Sequence, residues 1–167
     1  MFWSITDDIF EMIFAVILIC SVFMGSKRGF LVSIYILIKN ILAISLAIGL
    51  GGMLGGAFPE GTRDAKGIGL LIVYILAFVG ISILLKALNV SDNLKIKEGL
   101  NKMLGLCLGA VSALVIIWSL LAILGSLKSI VGVHDVAANC RTNQVIMQVQ
   151  QYNPLPSMMK GMGYEVL

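Results

Sequence analysis

The sequence has little charge and few of the residues that usually build catalytic or metal sites. Only 13% of its 167 residues are charged, and it has one histidine, three cysteines and three prolines. His134 has no companion histidine, cysteine or carboxylate at metal-ligand spacing, so neither a metal nor another cofactor is expected. No Ser-His-Asp set, phosphate-binding glycine loop or HExxH element occurs, so an enzyme is the least supported class of protein.

The basic residues are scattered along the chain, and the formal net charge is only +3. Nucleic-acid-binding proteins present a clustered basic face, so nucleic acid is not an expected partner. A cleavable signal peptide is not expected either, because it would open with a basic region. Asp7, Asp8 and Glu11 stand there instead.

Apolar residues, in contrast, are abundant: they make up 59% of the chain, and the mean hydropathy is +0.99. Four apolar runs fill most of the chain between residues 9 and 125: Ile9–Met24, Leu31–Gly51, Gly67–Leu85 and Met103–Gly125. A helix of ~20 apolar residues crosses the hydrocarbon core of a bilayer. We therefore predict an all-α polytopic membrane protein, with a four-helix transmembrane domain over residues 1–126 and a C-terminal tail over residues 127–167.

Local signals predict where two of the helices begin or end. Asp8 followed by Glu11 resembles a capping box, which predicts that the first helix begins just after Asp8. In the tail, Gln144–Tyr152 is predicted to form a short amphipathic helix, whose apolar face carries Val145, Val149 and Tyr152. The prolines at positions 154 and 156 should end that helix.

The second apolar run leaves two alternatives open. Between residues 30 and 58 the only charged residue is Lys39, and this stretch is longer than one span requires. Either the span is Leu31–Gly51 with Lys39 near mid-depth, or it starts near Ile41 after an amphipathic stretch at the interface. Tilt, or a kink at the glycines of residues 49–56, would absorb the excess length.

The distribution of Lys and Arg predicts the orientation. The loops after the first and third runs hold most of the loop cations: Lys27, Arg28, Lys86, Lys95, Lys97 and Lys102. Because short cytoplasmic loops are enriched in Lys and Arg, these two loops should be cytoplasmic and both termini outside. Cys20 and Cys107 would then lie at the cytoplasmic end and Cys140 alone outside, so no internal disulfide of Cys140 is expected.

Small residues in the fourth run indicate a packing face. Gly105, Gly109 and Ser112 lie on one side of the predicted helix. Because small residues let helix backbones approach closely in a membrane, this face should contact another helix. That helix belongs either to the same chain or, in a homo-oligomer, to a second copy.

Lys39 and Asn40 form a possible polar site within the membrane. An ionisable residue at mid-depth is costly and is a candidate functional residue by default. Glu11 and Asp8 are its possible acidic partners, although both stand at the other end of the first run. In the alternative interpretation, the lysine stem extends so that its ammonium group reaches the interface.

Two segments carry a resemblance to a known family. The first is Gly25-Ser26-Lys27-Arg28-Gly29-Phe30, which follows a helix opened by Asp8-Ile9. The second is Leu100-Asn101-Lys102-Met103-Leu104-Gly105-Leu106-Cys107-Leu108-Gly109. With four spans and this length, they resemble the colicin V production protein family of bacterial inner-membrane proteins. By that resemblance, seven residues fall on recurring positions of the family: Asp8, Gly25, Arg28, Gly29, Phe30, Gly105 and Gly109.

This sequence departs from the family pattern at Ser33 and Asn101, where acidic residues are usual. The resemblance implies a non-enzymatic role in toxin production or export, or in envelope maintenance, through membrane or envelope protein partners. Arg28 either serves membrane topology alone or binds an anionic lipid head group or a partner carboxylate. The alternatives are a small oligomeric transporter or channel that uses Lys39 and Glu11, and a holin-like pore former.

Overall fold

A computed structural model describes the backbone of residues 2–59, 64–87, 98–127 and 143–164, with side chains for these ranges except residues 2–10, 85, 87 and 98. The described residues form six helices and no strand, which confirms the all-α prediction. The helices are α1 (Phe2–Arg28), α2 (Phe30–Gly56), α3 (Ala65–Ala87), α4 (Glu98–Gly125), α5 (Gln144–Gln151) and α6 (Leu155–Gly161).

Three helices are long and apolar enough to cross a membrane. They are Phe30–Gly56, Ala65–Leu84 and Gly99–Gly125, which correspond to α2, most of α3 and most of α4. Helix α1 is not among them over the described residues. Three of the four predicted spans thus have helices suited to the membrane. The remaining span, predicted over Ile9–Met24 in α1, stays a prediction.

Helix α1 begins earlier than the capping signal predicts. It starts at Phe2, so Asp8 lies inside the helix and the prediction that it is the N-cap is wrong. No glycine or proline occurs between residues 2 and 8, so nothing in this segment stops the helix from extending. The side chains of Asp7 and Asp8 lie outside the described residues.

Helix α2 is continuous from Phe30 to Gly56. Its continuity agrees with the first alternative for this run, in which Lys39 belongs to the span itself. The glycines do not interrupt the helix, and two of them contact α3. A Cβ atom on Gly51 would lie 2.6 Å from the Cα atom of Leu70, and one on Gly55 would lie 2.6 Å from that of Lys66. Helices α2 and α3 are therefore antiparallel and closely packed.

Helix α4 packs against both α1 and α2. Gly105 and Gly109 meet Gly25 and Ser21 of α1, so α1 and α4 are antiparallel. The N-terminal residue of α2 meets Asn101 at the start of α4, and the later parts of both helices share one hydrophobic core, so α2 and α4 are parallel. The bundle thus has two ends, and the connection between α1 and α2 lies at the same end as the start of α4.

We call that end the basic end, because its described charged side chains are all cations: Lys27, Arg28, Lys86 and Lys102. We call the opposite end the tail end, where α5 and α6 lie. The described charged side chains there are of both signs: Glu11, Asp64, Lys66 and Lys160. Lys39 lies between the two ends.

The tail packs onto the bundle. Leu155, Met159 and Tyr164 belong to the same buried cluster as Ile48 and Leu70. The predicted helix at residues 144–152 is present as α5. Its buried side chain is Ile146, whereas Tyr152, placed on the apolar face by the sequence, is 75% exposed. Helix α6 was not predicted, because the prolines that end α5 are also favoured in the first turn of a helix.

Candidate functional site

A single residue connects α1 to α2 at the basic end. Gly29 has φ +81°, a left-handed conformation that glycine adopts without steric cost. Its N–H donates to the carbonyl oxygen of Gly25 at 2.9 Å, and its own carbonyl accepts from the Ser33 hydroxyl at 2.7 Å. These bonds fix the direction in which α2 leaves the turn.

Asn101 of α4 completes this turn from across the bundle. Its Oδ1 accepts a hydrogen bond from the backbone N–H of Phe30 at 2.7 Å. Gly29, the N-cap residue of α2, has no side chain that could cap the helix, so Asn101 supplies the cap from another helix. A Cβ atom on Gly29 would lie 2.6 Å from the Asn101 amide nitrogen, so both the conformation and the space require glycine.

A glycine crossing holds α1 and α4 together one turn deeper in the bundle. A Cβ atom on Gly25 would overlap the carbonyl oxygen of Gly105, and one on Gly105 would overlap that of Gly25. A Cβ atom on Gly109 would likewise overlap the carbonyl oxygen of Ser21. The contact predicted for Gly105 and Gly109 lies, in this structure, between two helices of the same chain, and Ser112 is buried farther along α4.

Arg28 and Lys27 are exposed at the end of α1. The Lys27 ammonium lies 4.5 Å from the centroid of the Phe23 ring, a cation–π contact. The two carboxylates whose side chains are described, Glu11 and Asp64, stand at the tail end. Arg28 is thus an exposed cation far from the described acidic side chains of its own chain.

Lys39 extends towards α3. Its ammonium lies 3.8 Å from the centroid of the Phe78 ring. The register set by the pair Gly51 and Leu70 places Phe78 opposite Ala43 of α2, which is ~6 Å farther from the basic end than the Lys39 backbone. The Lys39 ammonium is therefore held at an aromatic ring of α3.

Asn40, the next residue of α2, points into the interior of the bundle. It is completely buried, and neither its amide nitrogen nor its amide oxygen has a hydrogen-bond partner. Ser112 of α4 is 3% exposed, and its hydroxyl also lacks a partner. Adjacent residues of α2 thus bring a cation towards α3 and an amide into the interior.

Glu11 is not brought near Lys39. It lies ~12 Å farther along the bundle axis from the basic end, on a helix that packs against α4. Its Oε1 accepts a hydrogen bond from the Asn143 side chain at 2.8 Å. Asn143 also caps α5 by accepting from the N–H groups of Val145 and Ile146. Glu11 therefore anchors the tail.

Three further contacts anchor the tail. The Trp118 indole donates to the Val149 carbonyl at 2.9 Å, and the Lys66 ammonium donates to the Gly163 carbonyl at 2.8 Å. The Tyr164 hydroxyl donates to the Ile48 carbonyl at 2.9 Å. Burial raises the pKa of the Tyr164 phenol, and the backbone N–H of Gly52 opposes that rise. The N-cap preference for Asn was the one sequence signal that would have identified Asn143.

The docked tail borders two grooves. One, of about 720 Å³, has apolar walls formed by α1, α4 and α5, with Glu11 at its rim. The other, of about 830 Å³, lies between α5 and α6 and is lined by polar residues that include Gln148, Asn153 and Lys160. No group of three metal-ligating side chains occurs in the described part of the chain. Cys20 and Cys107 are free and exposed, and His134 and Cys140 lie outside the described residues.

Comparison with known proteins identifies the family. The sequence model described as "Colicin V production protein" matches residues 10–151, which is most of the chain. The chain belongs to the colicin V production protein family. Neither the curated proteins nor the solved structures contain a match to it.

Most of the residues taken from the family resemblance lie close together, whereas Asp8 stands near the opposite end of α1 and Gly109 lies one turn deeper, against Ser21. Gly25, Gly29, Phe30 and Gly105 all contribute to the basic end, where α1 turns into α2 against the start of α4. The two departures from the colicin V production pattern also lie there. Ser33 and Asn101 both make neutral hydrogen bonds to the turn, so the site is held by caps and close backbone packing.

Proposed function

We propose that this chain is a four-span protein of the bacterial inner membrane that supports the production or export of a peptide toxin, or maintenance of the envelope, through protein partners. The match to the colicin V production family over residues 10–151 carries this proposal. The role is non-enzymatic: the protein positions partners at the membrane and catalyses no reaction.

The exposed surface of α1 supports the proposal that this helix is also a span, in addition to α2, α3 and α4. Large apolar side chains on its outer face are exposed, including Met12 at 65%, Ile19 at 63% and Phe23 at 59%. Exposed side chains of this kind are stable in lipid and would be unfavourable in water. Since α1 packs antiparallel to the membrane-suited α4, both helices should lie in the same bilayer.

The distribution of charge supports the proposed orientation. All described charges of the basic end are positive, whereas both described carboxylates stand at the tail end. Cations close to span ends favour the cytoplasmic side. We therefore propose that the basic end faces the cytoplasm and that both termini lie outside. Protease added to intact spheroplasts should remove a C-terminal tag, and a tag that survives until the cells are lysed would refute this orientation.

The basic end is the proposed partner surface, with Arg28 as its central contact. A guanidinium group binds a carboxylate or phosphate through two parallel hydrogen bonds, which an ammonium group cannot reproduce. Deletion of the gene in a toxin-producing host should reduce the toxin released into the medium, and the wild-type gene should restore it. Arg28→Lys should insert normally and fail to restore release.

Lys86→Ala is the control for loss of positive charge: it removes a cation of the basic end that lies on α3, whereas Arg28→Lys keeps its charge at the turn between α1 and α2. It should restore release. Full activity of Arg28→Lys would show that positive charge alone matters at this position. Normal toxin release by the deletion strain, with an intact envelope, would refute the function itself.

A second candidate, a small oligomeric transporter or channel, is favoured by the position of Lys39 alone. Lys39 lies within the membrane-suited helix α2 and its ammonium contacts Phe78 of α3, and an ionisable group within a span is a candidate to line a path through the membrane. Ion and proton flux into proteoliposomes tests this candidate. Flux that is present in the wild type and in Lys86→Ala, and lost in Lys39→Ala, would favour transport. Flux no higher than in empty liposomes would exclude conduction of the ions tested.

A further inference from the structure

The parallel helices α2 and α4 pack against each other and carry several buried polar side chains. They are Ser33, Asn40, Ser112, Ser119 and Ser126, each at most 8% exposed. Three of the hydroxyls donate to a carbonyl four residues earlier in the chain: Ser33 to Gly29, Ser119 to Val115 and Ser126 to Ala122. Only Asn40 and Ser112 in this set lack hydrogen-bond partners.

Asn40 and Ser112 lie at the same depth. The bond between Phe30 and Asn101 fixes the relative height of the two parallel helices. With a rise of ~1.5 Å per residue, Asn40 lies ~15 Å beyond Phe30, and Ser112 lies ~16.5 Å beyond Asn101. Half the thickness of a hydrocarbon core is also ~15 Å, so a bilayer whose boundary lies at the start of α2 would have both residues near its middle.

A direct bond between the two side chains would leave Asn40 unsatisfied. Its amide presents two N–H donors and an acceptor oxygen. A serine hydroxyl has one hydrogen, so it can accept from the nitrogen or donate to the oxygen, while the other amide atom keeps no partner. Buried polar groups of this kind are normally paired, and internal water supplies the missing bonds where protein groups do not.

We propose that Asn40 and Ser112 form an internal water-binding site at the middle of the membrane, between α2 and α4. Water suits the site because it donates and accepts at once, as the amide and the hydroxyl together require. Both side chains of the site are uncharged. The neighbouring residue Lys39 is charged, but its ammonium lies on the Phe78 ring of α3. This inference goes beyond the proposed function and does not depend on a role in toxin release.

X-ray radiolytic labelling in nanodiscs, with H₂¹⁸O as the solvent, tests the proposal. Hydroxyl radicals formed from a bound water oxidise the side chains beside it, even in a closed interior. Ile44 lies one turn from Asn40 and is 2% exposed, whereas Leu70 is equally buried and lies near the tail end. We expect ¹⁸O incorporation at Ile44 to be several-fold faster than at Leu70.

Equal labelling of Ile44 and Leu70 in the wild-type protein would overturn the proposal. The variant Asn40→Leu with Ser112→Ala removes the polar groups while keeping similar volumes, and it should lower labelling of Ile44 to the level of Leu70. Persistent labelling of Ile44 in the folded variant would also overturn it. Because the wild-type comparison needs no substitution, the proposal stays testable if this variant does not fold.

Discussion

The glycine crossing between α1 and α4 makes a prediction that a matched pair of substitutions tests. The Cβ atom of Gly105→Ala would lie 2.9 Å from the carbonyl carbon and 3.0 Å from the Cα atom of Gly29, and closer still to the carbonyl oxygen of Gly25. These atoms belong to backbone and cannot rotate away, so the helices must separate. Overpacking of this kind costs about 1–3 kcal/mol.

Gly80→Ala of α3 is the matched control, because it adds the same methyl group where nothing lies within 4 Å. In an exposed helix position that change is neutral or stabilising by up to about 1 kcal/mol. The two variants should therefore differ by about 2 kcal/mol in their free energy of unfolding. Titration with SDS in mixed micelles, followed by the helical circular dichroism signal, measures this difference.

Identical unfolding curves for Gly105→Ala and Gly80→Ala would refute the close crossing. A larger substitution distinguishes internal packing from a homo-oligomer. Because Gly105 meets α1 of its own chain, Gly105→Leu should lower the amount of folded protein in the membrane. Normal expression of Gly105→Leu, with loss of a crosslinked dimer, would instead place this face between two copies.

Three further predictions concern single contacts. Asn101→Ala should lower the free energy of unfolding by about 1–2 kcal/mol in the same titration, because it removes the cap of α2. Asn101→Asp should retain the cap, so an equal loss of stability in both variants would refute capping. Tyr164→Phe removes the hydrogen bond to the Ile48 carbonyl, so it should weaken docking of the tail by about 0.5–1.5 kcal/mol. Amide hydrogen exchange in α6 should become faster, and unchanged exchange would contradict this bond. Because the folded pKa of Tyr164 is raised, docking should be intact below its ordinary value of about 10 and weaken as the pH rises through the folded pKa, and Tyr164→Phe should abolish that dependence.

The helices of the membrane region could be predicted closely from the sequence. Apolar runs in the chain correspond to α2, α3 and α4, because burial in lipid requires a long unbroken apolar helix. The start of α1 was misplaced because a capping box is a local signal, and a helix continues past it where no glycine or proline intervenes. The short helix α6 was missed because a proline both ends one helix and begins the next.

The contacts within the site were less predictable, since they depend on which helices become neighbours. Gly105 and Gly109 indicated a packing face, but nothing local shows that its partner is Gly25. Asn101 departs from the family pattern, and its capping role depends on a residue 71 positions earlier. The anchoring of the tail by Glu11 was missed for the same reason, because Asn143 is 132 positions away.

The neighbours Lys39 and Asn40 show how one turn of a helix can place two costly groups differently. Residues adjacent in a helix project about 100° apart, so Asn40 is buried inside the bundle while Lys39 reaches Phe78 of α3. The cation–π contact with Phe78 compensates part of the desolvation of the ammonium. No comparable contact exists for the amide of Asn40 among the described residues. The two groups therefore require different tests. Flux measurements test Lys39, because a charged group within a span bears on transport. Radiolytic labelling tests Asn40, because a neutral buried amide requires a neutral hydrogen-bonding ligand.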